Sequence, residues 1–190
     1  MNLSNPLRLY LAVLIFAVPM FAVPMFAMAD DTNVANMDVA NMDVAKMDAL
    51  TINTSTNSLF NEIQRTVAEV DFAGMAAAYH ADAVLVSAKT TSAISDVMPL
   101  WKASGEKLQS EGQQASVAFR FSSRQQDSTS AFDSGIFRYA TVGKDGVEKV
   151  AFVHFENLAV FRHGRWQTLM ERQLAATDAS AFNDLPASWD

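Results

Sequence analysis

Apolar residues recur at helical spacing early in the folded part of the chain and alternate later. Leu59, Ile63 and Val67 share one face of a helix that Thr56-Asn57-Ser58 can cap and that runs to about Val70. Asp71 is placed to cap a second, short helix from Phe72 to Tyr79. The unbroken apolar run Val84-Leu85-Val86 predicts a strand over Ala83–Ser87. A third helix is expected over about 93–110, with Met98, Trp101 and Leu108 on it and Ser92 or Ser95 as its cap. Pro99 suits a first turn, which moves the expected start towards it, and Gly112 closes the segment.

Beyond Gly112 the pattern changes to period two. Val117, Phe119 and Phe121 lie on one side of a strand over Ala115–Arg124. Further strands are predicted over Ser130–Val142, Val150–Arg162 and Arg165–Leu174. Lys144-Asp145-Gly146 and His163-Gly164 supply the turns between them. Three helices with one early strand, then an antiparallel meander, is an α+β order, with helices packed on one face of a curved sheet.

Strand parity sorts the side chains of the long third strand of the meander. Ala151, Val153, Phe155, Asn157, Ala159 and Phe161 form one set, and Phe152, His154, Glu156, Leu158 and Val160 belong to the other. The first is the more apolar and is expected inside, which leaves Asn157 as a lone polar group on an apolar face. It is read either as a pocket residue or as a satisfied structural amide. His154 and Glu156 share the other face. They can be read as an acid–base pair, but more simply as surface residues among Phe152, Leu158 and Val160, which suit a homodimer face. Asp133 precedes Gly135 in a strand, a position for a pocket acid or for a carboxylate that satisfies backbone at a bulge. Tyr79 and Trp101 are read as pocket lining or core. Arg172 points inward if Trp166, Thr168 and Met170 do, and would then need a carboxylate from the protein or from a ligand. Arg120, Arg124 and Arg138 read as a solvated face.

The N-terminus changes the picture of the whole chain. Arg8 is the only charge before Asp30, and an apolar stretch from Leu9 to Phe26 leads to Ala27-Met28-Ala29, a small-x-small pattern. Residues 1–29 therefore read as a secretory signal cleaved after Ala29, with an uncleaved anchor as the alternative that Pro19 and Pro24 weaken. Cleavage leaves no stable membrane insertion and places the mature protein in the periplasm or outside the cell. Residues 30–50 carry Val-Ala-Asn-Met-Asp twice and then Val-Ala-Lys-Met-Asp. A period of five matches neither helix nor strand, so the stretch reads as a low-complexity linker, and the folded domain spans 51–190.

Composition then removes whole classes. The 190-residue chain has no cysteine, which excludes disulfides, thiolate metal sites, iron–sulfur clusters and cysteine nucleophiles. A net charge of −7 argues against nucleic acid as a partner. The three histidines show no metal-ligand spacing, and no phosphate loop, zinc-protease helix or nucleophile elbow occurs, so no cofactor and no metal are expected.

Three segments together resemble the nuclear transport factor 2-like superfamily, in its SnoaL-like and ketosteroid-isomerase-like branch. They are Tyr79-His80-Ala81-Asp82-Ala83-Val84-Leu85, Asp133-Ser134-Gly135-Ile136-Phe137 and Phe161-Arg162-His163-Gly164-Arg165-Trp166. The resemblance covers about residues 57–175 and implies a cone-shaped α+β barrel around an apolar pocket. Laid on the isomerase pattern, the chain puts Ser87 at the base position and Asn157 near the donor-acid position, with no tyrosine in the first helix. Serine without a partner is a poor base, so the isomerase mechanism is not supported. The expectation is an exported single domain that binds a small apolar or amphipathic molecule, with Tyr79, Ser87, Trp101, Asn157 and Arg172 as contacts. The alternatives are an isomerase-, cyclase- or dehydratase-like enzyme using Asp133, Asn157, Tyr79 and His154, and a homodimeric interaction module.

Overall fold

The computed structural model describes residues 55–187. The expected leader, its expected cleavage point after Ala29, the repeats and Thr51 lie outside the described residues.

Helix α1 spans Asn57–Glu69 and α2 spans Phe72–Ala78. Asp71 caps α2 as its position suggests, its carboxylate accepting from the Gly74 N–H at 2.9 Å. Thr56 sits at the N-cap of α1 but does not cap it; its hydroxyl instead accepts a hydrogen bond from Arg124. The chain turns between the helices at Val70, whose φ of 58° is left-handed and whose N–H bonds back to the helix end. Arg65 then holds the corner closed, reaching Glu62, Glu69 and Asp71.

Strand β1 spans Tyr79–Val86 and begins earlier than expected, so Tyr79 opens a strand rather than ending a helix. A short strand β2, Thr91–Ala93, pairs antiparallel with it and leads into α3, Ile94–Ser110. Ala93 is the N-cap of α3, so neither Ser92 nor Ser95 caps it, and Pro99 is accommodated inside the helix. The meander follows as β3 (Gln114–Gln126), β4 (Ser130–Val142), β5 (Glu148–Arg162) and β6 (Arg165–Thr177). His163 and Gly164, at φ of 53° and 77°, form the tight turn between β5 and β6. A last helix, α4 (Ala179–Asn183), has no counterpart in the expected elements.

The six strands form one sheet in the order β2-β1-β6-β5-β4-β3. The β1–β6 pair is parallel and the other pairs are antiparallel. The helices cover the concave side. Leu59, Phe60 and Ile63 of α1 are buried there, and Phe60 meets Phe119, Phe121 and Phe155 with ring centroids 4.9, 4.8 and 6.0 Å away. The inner set of β5 is as parity predicts: Ala151, Val153, Phe155, Asn157 and Ala159 are all buried.

Two β-bulges, one on β3 and one on β6, decide what else faces inward. On β3, Phe121 pairs with Gly135 and Ser123 with Ser134, so Ser122 is the extra residue. On β6, Thr168 pairs with Ala159 and Met170 with Leu158, so Leu169 is the extra residue. Each bulge reverses parity beyond it. Arg124 therefore joins the inner face instead of the solvated one, Glu171 turns inward and Arg172 outward. Gly135 allows the first bulge, since a Cβ there would come within 2.0 Å of the Arg120 carbonyl oxygen.

The outer face is partly covered by the chain's own end. Phe182 of α4 is buried and packs on Phe152 with centroids 5.4 Å apart. Arg120 lies 4.6 Å from the Phe182 ring centre and donates to the carbonyls of Phe182, Asn183 and Leu185. Phe152, expected on a homodimer face, is half-buried and partly covered by Phe182.

Candidate functional site

The bulges assemble a polar row across the otherwise apolar concave face. In register it runs Arg124 on β3, Asp133 on β4, Asn157 on β5 and Glu171 on β6. At the Arg124 end the row is a clasp. The guanidinium donates from Nε to Asp133 Oδ1 at 2.6 Å and from its other nitrogens to Asn57 and Thr56 at the start of α1. It also lies 4.0 Å from the Phe121 ring centre. Asp133 is only 1% exposed, and among the described residues its Oδ2 has no hydrogen-bond partner. Burial pushes the Asp133 carboxyl above the usual carboxylate range, opposed by the Arg124 guanidinium.

At the centre, Asn157 is 3% exposed. Its Oδ1 accepts from the Thr168 hydroxyl at 2.9 Å, and its Nδ2 has no partner among the described residues. At the far end, Glu171 is half-buried and accepts from the Tyr79 hydroxyl at 2.5 Å and from Gln173 Nε2 at 2.8 Å. Burial, then the Glu171 charge, pushes the Tyr79 phenol well above its ordinary value, so Tyr79 stays a proton donor. Trp101 from α3 stands edge-on to Tyr79, centroids 5.9 Å apart. Leu85, Met98, Trp101 and Phe119 are partly buried and pack against this core.

Of the residues singled out from sequence, Tyr79, Trp101, Asp133 and Asn157 pack on the concave side, and three do not. Ser87 follows β1, where its hydroxyl accepts from the Lys89 and Thr90 N–H groups at 3.3 and 3.1 Å, so it organises the turn into β2. Arg172 is exposed on the outer face and donates to Glu156 at 3.0 Å, because the Leu169 bulge reverses its side. His154 is exposed on that same outer face, away from the row. Sequence reading missed Glu171 and Arg124. Only the bulges bring them inside, and neither Ser122 nor Leu169 is a residue type that marks one.

A separate open cleft of about 250 Å³ lies between α1, α2 and the start of β6, lined by Leu59, Glu62, Gly74, Ala77, Ala78, Arg165 and Trp166. It contains none of the row, and Glu62 at its edge is already paired with Arg65 at 2.6 Å. The polar row, with unpartnered buried atoms, is therefore the better candidate for recognition.

No family model and no curated protein matches the sequence. Solved structures do match. Aln2 from a Streptomyces species superposes with a TM-score of 0.55 at 14% identity, over 62% of this chain and 86% of that one. A protein of unknown function from Mycobacterium tuberculosis gives 0.53 at 12% identity, over 76% and 82%. An NTF-2-like protein of unknown function from Shewanella oneidensis gives 0.50 at 13% identity, over 63% and 95%. At these identities the likeness is one of architecture: helices on a curved sheet, with one parallel pair closing an antiparallel meander, give this chain the nuclear transport factor 2-like cone fold.

Proposed function

We propose that the protein binds a small amphipathic molecule on the concave side of its sheet. The observation that supports this most is the Asn157 amide, a buried donor left without a partner on an apolar face. Leaving such a group unpaired costs about 1–3 kcal/mol, which a ligand acceptor would offset. The apolar body of the ligand would lie against Trp101, Met98 and Phe119, with its polar end towards Asn157 and the Tyr79–Glu171 pair. Asn157→Leu is expected to weaken ligand affinity at least about tenfold, read by calorimetry. If affinity is unchanged and the variant is more stable, the amide is merely structural and the proposal fails.

The molecule would meet its ligand outside the cytoplasm after removal of residues 1–29. N-terminal sequencing of exported protein would then start at Asp30, and an earlier start contradicts this.

A second reading, self-association, draws on the outer face. Phe132 is 36% exposed there, with Leu158 beside it in register and Met170 beyond. The three form an apolar row beside the part covered by α4, and a second copy of the chain would bury it.

A further inference from the structure

The two carboxylates of the polar row are balanced differently. Asp133 has the Arg124 guanidinium at 2.6 Å, whereas both partners of Glu171 are neutral: a phenol and an amide. Among the described residues no Lys, Arg or His nitrogen lies within 4.0 Å of Glu171. Its sequence neighbour Arg172 is turned to the outer face, where Glu156 engages it at 3.0 Å. Tyr79 keeps its proton and adds no charge of its own. Among the described residues the concave face thus carries a half-buried carboxylate with two neutral donors and no counter-cation.

Such a carboxylate is stabilised most by a cation brought from outside. Partial burial raises the cost of its charge and strengthens its attraction for a partner. The Tyr79 hydroxyl binds the carboxylate and Trp101 stands edge-on to the Tyr79 ring, centroids 5.9 Å apart, so aromatic surface for an apolar body lies near. An anionic ligand would meet repulsion at the same place. Resting on the binding reading above, we infer that the polar end of the ligand carries, beside the acceptor that meets Asn157, a cation: an organic ammonium on an apolar body, held at Glu171.

The test uses the full chain and three probes of one shape: 2-phenylethylammonium, 2-phenylethanol and 3-phenylpropionate. Calorimetry is expected to give binding of the ammonium about tenfold tighter than the alcohol, with the carboxylate weakest. Glu171→Gln keeps an acceptor for Tyr79 and is expected to bring the ammonium down to about the affinity that the variant shows for the alcohol. Wild-type protein that binds the alcohol as tightly as the ammonium overturns the cation inference and leaves the binding reading standing. So does a folded Glu171→Gln variant that keeps the preference. Failure of all three probes overturns both. Should the variant not fold, the wild-type comparison of ammonium with carboxylate decides alone.

Discussion

Asp127 and Asp133 lie close together in the β3–β4 hairpin and respond to folding in opposite directions. Asp127, in the exposed turn, accepts from the N–H groups of Thr129 and Ser130 at 2.6 and 2.7 Å. Those donors lower its carboxyl from 3.8 to about 2. A lowered folded value contributes stability above the ordinary value, and that contribution is lost as pH falls through about 2. Asp133 is raised by burial, so its ionisation opposes folding, and its own share improves as pH falls through its raised value down to the ordinary one. Asp127→Ala should therefore lower the urea midpoint near neutral pH, with the gap to wild type shrinking as pH falls from about 4 towards about 2. A gap that stays constant across that window would show that the charge of Asp127 does not contribute.

Among elements, the joint between α1 and the sheet depends on Arg124. Its guanidinium binds Asp133 on β4 and the first residues of α1 together. Arg124→Met would leave Asp133 buried and uncompensated, a loss of about 3–5 kcal/mol in denaturant unfolding. Amide exchange should rise at the start of α1. Arg124→Met combined with Asp133→Leu should recover much of the loss, and a single variant within about 1 kcal/mol of wild type would refute the clasp. The helices were legible because capping chemistry and apolar spacing are local: Asp71 and the Leu59–Ile63 face behave as their sequence says. The inner face of β5 was legible for the same reason, since alternation holds along it. Glu171, Arg124 and the true side of Arg172 were not, because period-two counting fails at a bulge. A serine and a leucine carry those bulges, and their conformation follows from sheet curvature and the glycine across the strand at Gly135. Strand β2 and α4 are too short to show a period.

For the whole molecule, the two sides of the sheet suit different tasks. The outer side is shared between the α4 cover, pinned by Phe182 and Arg120, and the apolar row of Phe132, Leu158 and Met170. If two copies meet there, Phe132→Asp should shift the sedimenting species from dimer to monomer, and an unchanged mass would remove that row from any interface. Among the described residues the concave side holds buried polar atoms without partners, Asp133 Oδ2 and Asn157 Nδ2, next to a carboxylate without a counter-ion. Binding is the central claim, and native mass spectrometry of the purified full chain, with no ligand added, tests it most directly. A retained small molecule that is lost on Asn157→Leu is the expected result. A bare protein that also gains no mass in the presence of the phenylethyl probes would contradict the account.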